Sequence, residues 1–145
     1  MSKLMKITLV QVCAWSIVAI SMIIIFLNPG TIENWGDNTT KTILLAFLFF
    51  IGYAVHLTTH LIEKSKRWGF SKDERDLAIQ SKAVNVGFIV VLMYIFILSI
   101  SLYIKYENAG MMPVGWVWFI AYSTIVMANL SVTIPSLLIY RKQGY

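Results

Sequence analysis

Residues 83–104 read AVNVGFIVVLMYIFILSISLYI and hold no Asp, Glu, Lys or Arg. At 1.5 Å per residue they make a helix of about 33 Å, close to the hydrocarbon thickness of a bilayer. Lipid offers no partner for a backbone amide, so an apolar stretch of this length reads as a membrane-crossing helix. Working outward, three more charge-free intervals appear, at 7–32, 42–62 and 108–140. Each exceeds the roughly 18 residues that mark a span. The reading is an all-α polytopic membrane protein. Its four transmembrane helices, joined by three short connections, form an antiparallel up-down bundle and a single transmembrane domain.

Composition agrees. Of 145 residues, 58% are hydrophobic and 13% charged, against roughly 25% charged in soluble domains; mean hydropathy is +0.72. This excludes a soluble enzyme, a disordered tail, a secreted disulfide scaffold and a β-barrel. A single cysteine, Cys13, excludes an intramolecular disulfide and a thiol-rich metal site. Val12 precedes Cys13 where a lipidation box needs Gly, Ala or Ser. The apolar run Ile7–Leu27 outlasts a signal-peptide core and no A-x-A site follows, so it reads as a retained anchor.

The basic residues orient the chain. Lys3, Lys6, Lys64, Lys66, Arg67, Lys72, Arg75, Lys82, Arg141 and Lys142 flank one side of the spans, and only Lys41 and Lys105 flank the other. The positive-inside rule puts both termini and the middle loop in the cytoplasm of a cell-membrane protein. Trp35, Tyr103, Tyr106, Trp116 and Trp118 form an outer aromatic belt, and Trp68, Phe70 and Tyr140 an inner one. The net charge of +5 then serves orientation and attraction to anionic inner-leaflet lipids, worth about 1 kcal/mol per basic side chain, and not nucleic-acid binding.

Helices are expected at about 5–27, 42–63, 72–106 and 113–140, with a cytoplasmic loop at 64–71. Asn28-Pro29-Gly30 stops the first. Asn38-Thr39-Thr40 is a glycosylation sequon with meaning only in a secretory pathway. After a turn at Trp68-Gly69-Phe70, Ser71 at N-cap and Glu74 at N3 fit a capping box. With no breaker before Gly87, helix 3 starts in the cytoplasm and stands clear of the bilayer for its first turns. Pro113 suits the start of helix 4, and Pro135 should kink its far end.

Polar residues inside spans are the informative ones, because each needs a partner. Gln11, Ala14, Val18 and Ser21 share a face suited to a helix–helix seam. Gly52, His56, His60 and Glu63 line one stripe of helix 2, beside Thr59. The histidines at i and i+4, with Glu63 a turn on, either pack and hydrogen-bond against neighbouring helices, with His60 at headgroup level, or relay protons or hold a divalent metal. The metalloprotease form needs Glu at position 57, which is Leu57. Asn85 falls on the stripe Glu74, Ala78, Ser81, Asn85. Asn129, near mid-membrane, should face the bundle, with Gln11 or His56 as partner.

Asp73, Glu74, Arg75 and Asp76 open helix 3 and offer a docking surface to a cytoplasmic protein. Asp73-Glu74-Arg75, Ile79 and Lys82-Ala83 together match D-E-R-x-x-x-I-x-x-K-A. This resembles a signature of small prokaryotic four-helix membrane proteins of unknown function. Some of these are encoded beside helix-turn-helix regulators, and the resemblance implies a regulatory or immunity-type role with no enzymatic residues. There is no P-loop, G-x-S-x-G or dinucleotide fingerprint, and no resident cofactor is expected beyond the divalent metal just considered. The first expectation is therefore a non-enzymatic regulator, sensor or accessory subunit. The alternatives are a small oligomeric transporter or pore built from copies of the chain, using His56 and Asn129, and a metal-binding protein or enzyme using His56, His60 and Glu63.

Overall fold

The computed structural model describes residues 3–37, 39–64 and 73–142. Four helices account for most of them: α1 (Lys3–Leu27), α2 (Thr39–Lys64), α3 (Glu74–Tyr106) and α4 (Val114–Lys142). Each is long and apolar enough to cross a membrane. The loop at 64–71, the turn at Trp68-Gly69-Phe70, and Ser71 and Asn38 fall wholly or partly outside the described residues.

Neighbouring helices run antiparallel. Gln11 near the start of α1 meets Thr59 near the end of α2. Leu4 and Met5 pack with Tyr140 of α4, and Gly87 of α3 lies against Ser131 and Val132 of α4. The main packing pairs are α3 with α4, α4 with α1, and α1 with α2. The lateral order is thus α2–α1–α4–α3, with α1 and α4 central. We call the end holding Leu4, Ile79 and Tyr140 the basal end and the other the distal end.

The seams repeat with coiled-coil spacing. In α1 the buried residues include Leu4, Thr8, Gln11, Trp15, Val18, Met22 and Phe26, which follow one another by steps of three or four. In α2 the matching set is Leu45, Phe49, Gly52 and Thr59, and His56 and Glu63 continue its register. Trp15, fully buried, sits edge-on to Tyr53 at 5.3 Å and Phe49 at 6.1 Å. Trp15 and Phe49 join Val18, Met22, Phe26, Trp35, Leu45 and Val126 in the main core. Trp35, expected in an outer belt, is part of that core. It stacks on Phe26 at 5.0 Å and an interplanar angle of 5°. Tyr140, expected in an inner belt, is buried among Leu4, Met5 and Ile79, because the basal ends of α1, α3 and α4 close over it; Trp68 and Phe70 lie outside the described residues.

Burial is inverted in α3. Its apolar window is only 11% buried inside the bundle, and Phe88, Phe96 and Ile104 are more than 60% exposed. A water-soluble surface does not carry such a face. The buried residues of its basal half are Asp76, Ile79, Ala83 and Gly87. Gly87 permits the close crossing with α4: a Cβ there would come within 2.5 Å of Val132 Cγ2 and 3.3 Å of the Ser131 backbone.

The start of α3 differs from expectation. The N-cap is Asp73, not Ser71, and Asp76 is N3. Asp76 N–H donates to Asp73 Oδ1 at 2.8 Å, and Asp73 N–H donates to Asp76 Oδ2 at 3.2 Å. The box lies two residues further on because Asp76, 6% exposed, points its carboxylate back to the cap while its helix face turns inward with Ile79. α4 continues helically through Pro135.

Candidate functional site: a polar cavity at the basal end

All four helices contribute to one polar cavity of about 260 Å³. α1 supplies Thr8 and Gln11, and α2 supplies His56, His60 and Glu63. α3 supplies Gln80 and Val84, and α4 supplies Val132, Thr133, Ser136 and Tyr140. The volume falls below the roughly 300–1,000 Å³ of drug-sized pockets, so a ligand there is small. Two larger grooves, of about 540 and 490 Å³, lie between helix pairs with chiefly apolar or aromatic linings. Their polar lining is sparser, Ser99, Tyr103, Tyr106 and Glu107 in the first and Lys6, Thr58 and Thr59 in the second, and neither draws on all four helices.

The cavity exists because the seams turn polar at this level. Where Trp15, Phe49 and Val126 fill the distal core, the next basal layers carry Gln11, Thr59 and Thr133. Gln11 Nε2 donates to Thr59 Oγ1 at 2.7 Å. The Thr59 hydroxyl itself donates within its helix, with the Val55 and His56 carbonyls at 2.9 and 2.8 Å. Three lining hydroxyls donate to a carbonyl four residues back: Thr8 to Leu4 at 3.0 Å, Thr133 to Asn129 at 2.8 Å and Ser136 to Val132 at 2.9 Å. His56 Nδ1 is buried with no hydrogen-bond partner among the described residues.

Of the helix 2 stripe, His56, His60 and Glu63 do line one cavity. His60 Nδ1 stands 3.7 Å from Glu63 Oε2, with the Glu63 side chain 7% exposed and that of His60 49%. Among the described residues, no three His, Cys, Asp or Glu side chains come together as a metal site. Gln11 belongs to the cavity, but its partner is Thr59 and not Asn129. Asn129 Nδ2 donates to the Ile125 carbonyl of its own helix at 2.8 Å. Asn85 is exposed, on the side of α3 away from Ala83 and Gly87.

The charged opening of α3 divides into two groups. Asp73 and Asp76 are engaged in the reciprocal cap, whereas Glu74, Arg75 and Lys82 are exposed. The D-E-R-x-x-x-I-x-x-K-A residues thus have separate physical roles. Asp73 caps the helix, Ile79 and Ala83 pack, and Glu74, Arg75 and Lys82 face outward. Thr59, Gln80, Thr133 and Tyr140 were not singled out as a group from sequence. The signal that could have joined the first to Gln11 is the shared three-four spacing of the two seams. Family models, curated proteins and solved structures were all compared with this chain, and none matches.

Proposed function

We propose that the chain is a non-enzymatic multi-pass protein of the cell membrane, a sensor or regulator. It takes a small ligand in the basal cavity and presents the exposed start of α3 to a cytoplasmic partner. One observation carries this reading: the two features share the same turns of one helix. Gln80 lines the cavity, Asp76 and Ile79 beside it are buried, and Glu74, Arg75 and Lys82 are exposed. A ligand that displaces Gln80 therefore acts on the helix that carries the outward charges. The ten-to-two split of basic residues supports a cytoplasmic basal end. The likeness to the D-E-R signature supports a regulatory role in the same direction.

The ring core favours this reading over a pore. Trp15, Phe49 and Val126 fill the bundle distal to the cavity, which supports a binding cavity over a path through a single copy of the chain. Site-specific photocrosslinking in intact cells tests the reading, with the crosslinker in place of exposed Leu77. A discrete crosslinked partner is expected, and it should vanish when Glu74→Lys and Arg75→Glu are combined. These substitutions leave the Asp73–Asp76 cap in place. No product, or one indifferent to the charge reversal, would sink the proposal.

A further inference from the structure

We infer that the basal cavity binds a small primary ammonium ion bearing a short apolar tail. The inference deepens the sensor reading and rests on the cavity being its ligand site. The argument starts from proton bookkeeping. A carbonyl oxygen can only accept, so the hydroxyls of Thr8, Thr133 and Ser136, each bonded to a helix carbonyl, have committed their single protons. What they offer a ligand is oxygen lone pairs. Thr59 has also committed its proton to its own helix, so Gln11 must meet it with the amide nitrogen. That leaves Gln11 Oε1 as a further acceptor.

Four polar residues of this set, Thr8, Gln11, Thr133 and Ser136, are more than nine-tenths buried. A carboxylate, Glu63, completes the lining, which contains no Lys or Arg. The titratable groups facing the space are His56, His60, Glu63 and Tyr140. Each imidazole that is neutral offers one accepting nitrogen and one N–H, and His56 Nδ1 is buried with no hydrogen-bond partner among the described residues. Gln80 and Tyr140 add an amide and a phenol to the lining, so acceptors outnumber donors without excluding them. A wall rich in acceptors and carrying a carboxylate selects a cationic donor and rejects an anion. An ammonium group supplies three N–H donors. Val84 and Val132 in the same wall accommodate an alkyl tail. A metal ion fits less well, because among the described residues no three ligating side chains converge.

The test uses the full chain in lipid nanodiscs and isothermal titration with n-butylammonium. Isosteric n-butanol and butyrate serve as the neutral and anionic comparisons, and Zn²⁺ as the metal. Butylammonium should bind saturably, at least tenfold more tightly than either organic comparison. Glu63→Gln should weaken it at least tenfold. Thr133→Val, which keeps shape and removes the acceptor, should weaken it about threefold. Both variants are checked for native elution and helix content, and if the first misfolds the second still decides. Three results overturn the proposal: butyrate or butanol binding as well as butylammonium, no probe binding at all, or stoichiometric Zn²⁺ binding abolished by His60→Ala. Butyrate binding would remove the ammonium class and leave the sensor reading intact. The crosslinking result judges that reading without reference to the ligand.

Discussion

Gln11 of α1 donates its side-chain amide to Thr59 of α2 at 2.7 Å, with both residues buried. The bond joins two antiparallel helices beside the basal cavity, which Gln11 lines, where the ring core gives way to polar side chains. Interhelical hydrogen bonds in lipid contribute modestly, averaging about 0.6 kcal/mol. A double-mutant cycle on Gln11→Leu and Thr59→Val, read by unfolding in mixed micelles, should give a coupling of about 0.5–1.5 kcal/mol. Strict additivity would show that the pair is a contact without energetic weight.

Gly87 sets the approach of α3 to α4. Its Cα faces the Ser131 backbone, and Ser131 Oγ donates to the Gly87 carbonyl at 3.3 Å. Gly87→Val forces the helices apart and should cost about 1–3 kcal/mol. Gly36, where a Cβ meets open space, provides the control. Gly36→Ala should stay within about 0.5 kcal/mol of the parent. Equal stability of the two variants in the same unfolding assay would contradict the close crossing.

The cap of α3 separates Asp73 from Ser71. Asp73→Ala removes the acceptor for Asp76 N–H and should cost about 1 kcal/mol. Amide exchange should quicken across the first turn, Glu74–Leu77. Ser71→Ala should leave exchange there unchanged. If Ser71→Ala instead accelerates it, the cap lies where the S-x-x-E pattern first suggested.

Orientation is checked by cysteine labelling. In a Cys13→Ser background, Asn108→Cys should react with an impermeant maleimide in intact cells. Lys82→Cys should react only after permeabilisation. The opposite pattern would place the basal end outside and remove the cytoplasmic docking surface.

The number and length of the long apolar helices were legible because nineteen charged side chains gather outside four intervals, the pattern expected where charge in hydrocarbon is costly. The chemistry of the site was legible in part for the same reason. Gln11, His56 and Glu63 are conspicuous against apolar neighbours, and all three do line the cavity. Asn85 and Asn129 were equally conspicuous, yet one is exposed and the other bonds to its own helix.

Which face of each helix turns inward was decided by the tertiary structure. α3 is apolar almost all round, so its sequence carries no periodicity to separate Ala83 and Gly87 from Val84 and Phe88. Lipid and protein interior have similar polarity, and size and shape take over the selection. Gly87 faces α4 because it is small enough for two backbones to meet. Trp15 becomes the centre of the core because Phe49, Gly52 and Tyr53 fit around it. The sequence by itself determined the number of long apolar helices and where charge can stand. The lateral order α2–α1–α4–α3, the Gln11–Thr59 pairing and the polar cavity came only from how those shapes interlock.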